Sequence, residues 1–215
     1  MDAFRGIGLI LSRPRLWPLC LAPTLVGLAA YALLVWLALA RIPDGLSELW
    51  HVVWVLAVLA GTALLSVIVM SAFIGVIFDP LSREVERELS GKAPPTIPFS
   101  WGQLFLDSLQ RFGYNVFLGI LAFGTGFVPV VGAIFAVMVT GVIGLLDYTS
   151  VAYLRRGKAF GVQRKELFRT LDRPAILFGA VVGLSALIPG LGLILAPGFI
   201  AGGTILARRK LATAG

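Results

Sequence analysis

The chain has 215 residues, of which 58% are hydrophobic and only 13% are charged, and its mean hydropathy is +0.94. A soluble domain of this composition is implausible, so we predict one integral membrane domain over residues 1–215. The formal net charge is +7. Cations that flank membrane segments on the cytoplasmic side explain this charge better than nucleic-acid binding does, and we expect no nucleic-acid partner.

The first candidate binding site lies near the N-terminus, in residues 11–18 (LSRPRLWP). Pro14 and Pro18 suit the first turn of a helix, and Ser12 is a candidate N-cap. A helix start presents free N–H groups and partial positive charge, which together with two arginines favour a small oxyanion. The alternative is that the arginines anchor the chain at lipid headgroups. The candidate anion site comprises Ser12, Arg13, Arg15, Leu16 and Trp17.

Two continuous apolar runs follow, and each is long enough to cross a bilayer. Residues 16–40 form a run of 25 residues, and residues 52–78 are uncharged over 27. A spanning helix needs about 20 residues, so both are predicted to be transmembrane helices. Residues 79–92 (DPLSREVERELSGK) then form a predicted charged helix. Its alternating glutamates and arginines favour a solvated face over a cation site.

Two further apolar stretches, residues 115–146 and 175–207, carry proline and glycine at their centres. The breaks are Pro129 and Gly132 in the first stretch, and Pro189, Gly190 and Gly192 in the second. Each arm beside a break has roughly 12 to 16 residues, or about 20 Å of helix, which is less than the ~30 Å hydrocarbon core. The pattern predicts two re-entrant helical hairpins around an internal cavity.

Residues 101–112 and 160–171 are amphipathic at helical spacing, and the second segment carries cations on its polar face. We predict that both lie in the membrane interface. Burial of the apolar face against the protein's own helices is an equally good alternative. Each amphipathic helix leads into a broken apolar stretch, and such repeats with interrupted helices point to the transport site in membrane carriers. The alternative is that the two copies are two packing units.

The positions of Lys and Arg predict the orientation. If both broken stretches return to their starting side, every cation except Arg41 lies in the cytoplasm, as the positive-inside rule requires. If they crossed instead, the seven cations between them would be external. The charge distribution therefore favours two spans plus two re-entrant hairpins, with both termini in the cytoplasm.

Signals for catalysis are missing. With one histidine (His51) and one cysteine (Cys20), an ordinary zinc site or a Ser-His-Asp triad is excluded, so we predict no enzyme, no cofactor and no metal. An acid at an apolar boundary such as Asp147 usually has a partner, for which Arg155, Arg156, Arg111 and Arg173 are candidates. A structural ion pair is favoured over a gate. The candidate pore or gate residues are Asp107, Arg111, Asp147, Tyr148 and Arg173.

Several short motifs recur in an order that covers nearly the whole chain. They include Arg13-Pro14-x-Leu16, Asp79-Pro80-Leu81, Phe127-Val128-Pro129-x-x-Gly132, Asp147-Tyr148 and Gly202-Gly203-Thr204. In order and spacing the sequence resembles the CysZ sulfate-permease family and the wider group of etoposide-induced membrane proteins. The resemblance implies two spanning helices with partly penetrating hairpins, a homo-oligomer, and sulfate uptake across the bacterial inner membrane for cysteine synthesis.

The sequence departs from the sulfate-transporting members at two places. They typically carry an arginine pair after the opening proline, where this chain has Trp17 and Pro18, and an Arg-Glu pair near the positions of Asp107 and Ser108. The resulting hypothesis is a permease for sulfate or a similar small oxyanion, with membrane lipids as further partners. The second hypothesis is a non-transporting membrane protein that binds lipids or partner proteins through its amphipathic helices.

Overall fold

The computed structural model describes residues 2–41, 47–52, 54–55, 77–92, 96–97, 99–125, 129–188 and 191–213, and within these ranges it is helical without strands. A 3-10 turn at Pro14–Leu16 joins the first two helices. The main helices are α1 (Asp2–Ser12), α2 (Trp17–Leu39), α3 (Asp79–Ser90), α4 (Trp101–Thr125), α5 (Pro129–Arg155), α6 (Phe160–Arg169), α7 (Arg173–Ser185) and α8 (Leu191–Thr213).

Helix α8 lies at the centre of the described fold, and α1, α3, α5 and α7 pack around it. On one side, Ile200 packs in an apolar cluster with Leu81 of α3. On the other side, Phe199 packs with Phe178 of α7. Apolar residues on both faces explain why α8 is buried, since a helix that is hydrophobic all round needs neighbours on every side.

Glycines allow two of these helix pairs to approach closely. A Cβ atom on Gly6 of α1 would lie 2.2 Å from the backbone nitrogen of Gly202 in α8. A Cβ atom on Gly141 of α5 would lie 2.5 Å from the carbonyl oxygen of Gly179 in α7. Small residues at helix crossings are typical of membrane proteins, where close backbone contact replaces the hydrophobic driving force.

Within the residues that the structure describes, two helical stretches are long and apolar enough to cross a membrane, Pro14–Leu37 and Ile134–Arg155. The first agrees with the span predicted at residues 16–40. Most of the span predicted at residues 52–78 lies outside the described residues. The second stretch, in α5, was predicted as part of a re-entrant hairpin. Half of its residues are buried inside the protein, whereas only 7% of the first stretch is buried.

The first broken stretch is a pair of helices that are longer than predicted. Helix α4 has 25 residues and joins the amphipathic segment 101–112 to the first apolar arm without interruption. Helix α5 has 27 residues and continues past Asp147 to Arg155. The predicted arms of 12 to 16 residues are therefore wrong here, because backbone hydrogen bonding continues through polar residues where the apolar pattern ends. Pro129 is the first residue of α5, and Gly132 is buried inside it.

In the second broken stretch, only one of the two helical arms has the predicted length. Helix α7 has 13 residues, which is within the predicted length of an arm. Helix α8 has 23 residues and is longer. Gly192 lies in the first turn of α8, while Pro189 and Gly190 lie outside the described residues.

The two amphipathic segments differ in what covers their apolar faces. On α6, Phe160 and Leu167 are buried in the protein. On α4, Trp101, Phe105 and Leu109 are 84%, 71% and 53% exposed. The alternative of packing against the protein's own helices therefore holds for the inner face of α6. The described helices leave the apolar face of α4 uncovered.

Candidate functional site

A cluster of buried polar side chains lies where α4, α5 and α6 meet, with Arg111 at its centre. Arg111 and Asp107 are one turn apart on α4, and Arg111 Nη2 lies 3.3 Å from Asp107 Oδ2. The same nitrogen donates to Gln163 Oε1 of α6 at 3.2 Å. Nη1 lies 3.3 Å from Asp147 Oδ1 of α5. Arg111 thus ties three helices together.

The amide groups of Asn115 and Gln163 donate to other members of this cluster. Asn115 Nδ2 donates to Asp147 Oδ2 at 3.3 Å. Gln163 Nε2 donates to the carbonyl of Leu146 at 2.6 Å and to Thr149 Oγ1 at 2.8 Å. A buried polar group without a partner is costly, and these contacts reduce that cost.

The cluster carries two carboxylates for one guanidinium, and all three groups are at most 4% exposed. The backbone N–H of Phe160 donates to Asp107, and the Phe160 ring covers Arg111 at 4.8 Å from its centroid. Because the formal charge is −1, the cluster would repel a small oxyanion rather than bind one. Its chemistry is suited to holding α4, α5 and α6 in register, as a structural ion-pair network does.

The structure brings together three of the five predicted gate residues: Asp107, Arg111 and Asp147. Tyr148 turns to the other side of α5, where its ring lies 5.4 Å from that of Phe199. Arg173 is exposed at the start of α7. Of the partners predicted for Asp147, it is Arg111 that the structure places beside it.

Arg155 and Arg156 bind α3 instead. Arg155 Nη2 lies 3.0 Å from Asp79 Oδ1, and its Nη1 lies 3.1 Å from Glu86 Oε1. Both terminal nitrogens of Arg156 donate to Glu86, at 2.9 Å each. Glu86 is only 2% exposed, so the predicted solvated face of α3 is wrong at this residue. One side of this charged helix packs against α5 and α8, and ion pairs compensate for the buried charge.

The N-terminal candidate site needs a correction at Ser12. This residue ends α1, and its hydroxyl donates back to the carbonyl of Leu9 at 3.1 Å. The sequence interpretation did not include α1. Because Ser12 is still helical, it cannot take the extended conformation of an N-cap. Arg13 occupies the cap position of the following 3-10 turn, without a side-chain hydrogen bond of the capping kind.

Two of the remaining residues at this site have structural contacts. Leu16 is buried in an apolar cluster, and the indole N–H of Trp17 donates to the carbonyl of Ile10 at 3.0 Å. Arg13 is 55% exposed and pairs with Glu88 at 3.5 Å, and Arg15 is exposed. Ser12 and Trp17 are exposed as well, so the two guanidinium groups are the charged part of the site that solvent and a solute can reach.

Ion pairs also anchor the C-terminal end of α8. Arg209 lies 2.9 Å from the buried Asp2 of α1, and Lys210 lies 2.8 Å from Asp172, which caps α7. Burial raises the pKa of Asp172. Hydrogen bonds from Lys210 and from the backbone N–H of Ala175 outweigh this effect, so the pKa of the carboxyl lies below its usual value.

Sequence reasoning missed Gln163, Asn115 and the burial of Glu86. Gln163 had a detectable signal, since it lies three residues after Phe160 and four before Leu167, which puts a polar residue on the apolar face of α6. Glu86 and Asn115 had no comparable signal. Among the described residues, no group of three or more His, Cys, Asp or Glu side chains could hold a metal ion.

The described residues form helices, two of which have the length and apolar composition of a membrane span, with polar groups buried between helices, and this combination is typical of helical membrane proteins. Over residues 2–197 the sequence matches the family described as Sulfate transporter CysZ/Etoposide-induced protein 2.4. The chain belongs to this family, which confirms the resemblance seen in the motifs. It is a family of the transporter type, not of enzymes. No functionally curated protein matches the chain.

Proposed function

We propose that the protein is a permease or channel for sulfate or a related small oxyanion in the bacterial inner membrane, where it supports sulfur assimilation and cysteine synthesis. The observation that carries the proposal is the family match over residues 2–197, which includes both candidate sites.

The proposed architecture is one domain over residues 1–215, with two spanning helices, two re-entrant hairpins and both termini in the cytoplasm. Helix α7 supports the second hairpin, because its 13 residues make about 20 Å of helix, less than the ~30 Å hydrocarbon core. The exposed apolar side chains of α2, such as Leu25 and Trp36 at 60% and 64%, need lipid or other subunits around them. A homo-oligomer in lipid meets that need.

In the proposed route, the anion first meets Arg13 and Arg15, whose guanidinium groups are exposed. The route then passes between the helical hairpins. The cluster of Asp107, Arg111 and Asp147 acts as a gate that keeps α4, α5 and α6 closed until the ion pairs rearrange. The cluster does not serve as the binding site, since its net charge is negative.

A flux assay tests this function directly. Purified protein in proteoliposomes is expected to take up radiolabelled sulfate saturably above empty vesicles, and sulfite, phosphate and molybdate are added as competitors to identify the preferred anion. Circular dichroism and gel filtration of the same sample establish that the protein is folded. Folded protein that gives no flux above empty vesicles would contradict the proposal.

One observation favours the second candidate function, a non-transporting protein that binds lipids or partners. The apolar face of α4 is uncovered by the described helices, with Trp101, Phe105 and Leu109 all more than half exposed. A face of this kind is suited to the membrane interface. The same flux assay separates the two functions, because the second one predicts no sulfate uptake by the folded protein.

A further inference from the structure

The outer surface where α6 packs on α4 combines exposed cations with exposed apolar side chains. Arg164 and Lys165 of α6 are exposed, as is Arg169 one turn further on. On the neighbouring α4, Phe117 and Leu121 are 56% and 43% exposed. The proposed sulfate route uses none of these residues.

Arg164 is held in place by aromatic rings. Its guanidinium carbon lies 5.1 Å from the centroid of Tyr114 on α4 and 5.9 Å from that of Phe160 on α6. The rings lie on one side of the guanidinium group, and because Arg164 is exposed its remaining N–H donors stay available for a planar or tetrahedral anion. A phosphate can therefore bind Arg164 without disturbing the packing beneath it.

The apolar part of this surface begins beside Arg164 and runs along α4. Tyr114, Phe117 and Leu121 are spaced at i, i+3 and i+7, which places them on one face of the helix. Seven residues of helix extend about 10 Å. Tyrosine is enriched at the depth of lipid headgroups, and Phe and Leu suit the acyl chains. The order of residue types thus matches the order of a phospholipid from headgroup to tail.

The local charge is positive. Glu166 is the one acidic residue in the α6 sequence, and Lys158 neutralises it at 2.7 Å. Arg164, Lys165 and Arg169 therefore leave an excess of positive charge beside the apolar face. A second copy of the chain on the same face, related by a two-fold axis, would bring like charges together, whereas an anionic lipid complements them.

We propose that this surface binds one anionic phospholipid, with its phosphate at Arg164 and Lys165 and an acyl chain along Phe117 and Leu121. An inorganic phosphate ion would use only the cations, and a zwitterionic lipid would gain less from them. Bound lipid would fix α6 against α4, beside the buried cluster around Arg111.

Native mass spectrometry of the full chain in detergent tests the proposal with phosphatidylglycerol and phosphatidylcholine as probes. We expect the wild type to prefer phosphatidylglycerol. Each neutralised cation in Arg164→Gln and Lys165→Gln should lower that preference about fivefold, as expected for one cation at an anionic lipid surface. Arg164→Lys keeps the charge and should retain most of the preference. Arg5→Gln, at a distant and 71% exposed arginine, is the matched control and should not change it.

Results of three kinds would overturn the proposal. The first is equal binding of the two lipids by the wild type, or an unchanged preference in the Arg164→Gln/Lys165→Gln double variant. The second is displacement of phosphatidylglycerol by inorganic phosphate at constant ionic strength, which would identify a site for the free anion. The third is efficient disulfide dimerisation of Phe117→Cys in a Cys20→Ser background, which would show that a second copy covers the face. Unchanged melting temperatures confirm that the variants are folded.

Discussion

Arg111 is the residue on which the buried polar contacts converge. It bonds to side chains of α4, α5 and α6, and it is 2% exposed. Charged groups inside membrane proteins are rare and usually functional, and they need partners in the low-dielectric interior. A change that removes one partner here leaves charge buried without compensation.

We expect Arg111→Met to lower the free energy of unfolding by about 3–5 kcal/mol, because Asp107 and Asp147 then stay buried without their cation. Arg83→Met is the matched control. Arg83 pairs with Asp79 at 2.7 Å but is half exposed, and an exposed pair of this kind contributes about 0–1 kcal/mol. Denaturant unfolding in detergent, followed by circular dichroism, measures both. Equal losses in the two variants would rule out a special role for burial.

Arg13 and Arg15 are the accessible cations of the proposed anion site. We expect Arg13→Ala/Arg15→Ala to abolish saturable sulfate binding by the purified protein, because two charge-assisted contacts to the anion are lost. Arg5→Ala removes an exposed arginine of α1 and should leave binding unchanged. Isothermal titration with sulfate gives the comparison. Wild-type affinity in the double variant would remove this site from the proposed route.

At the scale of elements, close contact between helix backbones decides how α1 joins the fold. Gly6 faces Gly198 and Gly202 of α8, and a Cβ atom at Gly6 would lie 2.3 Å from the carbonyl oxygen of Gly198. Backbone atoms cannot move aside as a flexible side chain can. Gly8 lies on the same helix, but a Cβ atom there would meet nothing within 4 Å.

These two glycines form a matched pair for experiment. Gly6→Ala should destabilise the protein by about 1–3 kcal/mol or more, since overpacking forces α1 away from α8. Gly8→Ala should be neutral or stabilising by up to about 1 kcal/mol, because alanine is the better helix former. The melting temperature in detergent reports both changes. A neutral Gly6→Ala variant would contradict the close crossing of α1 and α8.

At the scale of the whole molecule, the side on which Lys158 lies distinguishes a first broken stretch that returns to its starting side from one that crosses the membrane once. The helices around the first break are 25 and 27 residues long, so length alone permits α4 and α5 to cross the bilayer. If both helices cross, the chain returns to its starting side. Lys158 then lies on the same side of the membrane as it does after a re-entrant hairpin. Arg41 and Lys158 lie on opposite sides of the membrane if the chain crosses it an odd number of times between them, and on the same side if the number is even.

The two-span arrangement predicts that Arg41 and Lys158 lie on opposite sides of the membrane. Arg41→Cys and Lys158→Cys are made singly in a Cys20→Ser background, which removes the native thiol. Membrane-impermeant maleimide should label Arg41→Cys in intact cells, and Lys158→Cys only after permeabilisation. Labelling of both from one side would contradict the arrangement.

Local patterns were sufficient to predict the helical class, the first span and the motifs that mark the family. They were sufficient because hydropathy, helical periodicity and turn residues act between residues that are near in sequence. The need of Asp147 for a partner also followed from its surroundings. Helix ends were predicted poorly, since α4 and α5 continue through polar residues where the apolar pattern stops.

The choice of partners was decided only by the tertiary structure. Arg111 rather than Arg155 binds Asp147, Glu86 is buried, and Gly6 contacts Gly202 at a separation of almost the whole chain. Each of these depends on how helices distant in sequence pack against one another. The sequence by itself determined that this is a helical membrane protein, because burial in lipid demands its apolar composition. The order and spacing of its motifs indicated the family. Packing geometry determined which charges neutralise each other. A charge in the low-dielectric interior is costly unless an opposite charge lies beside it, and the packing of distant helices places those opposite charges.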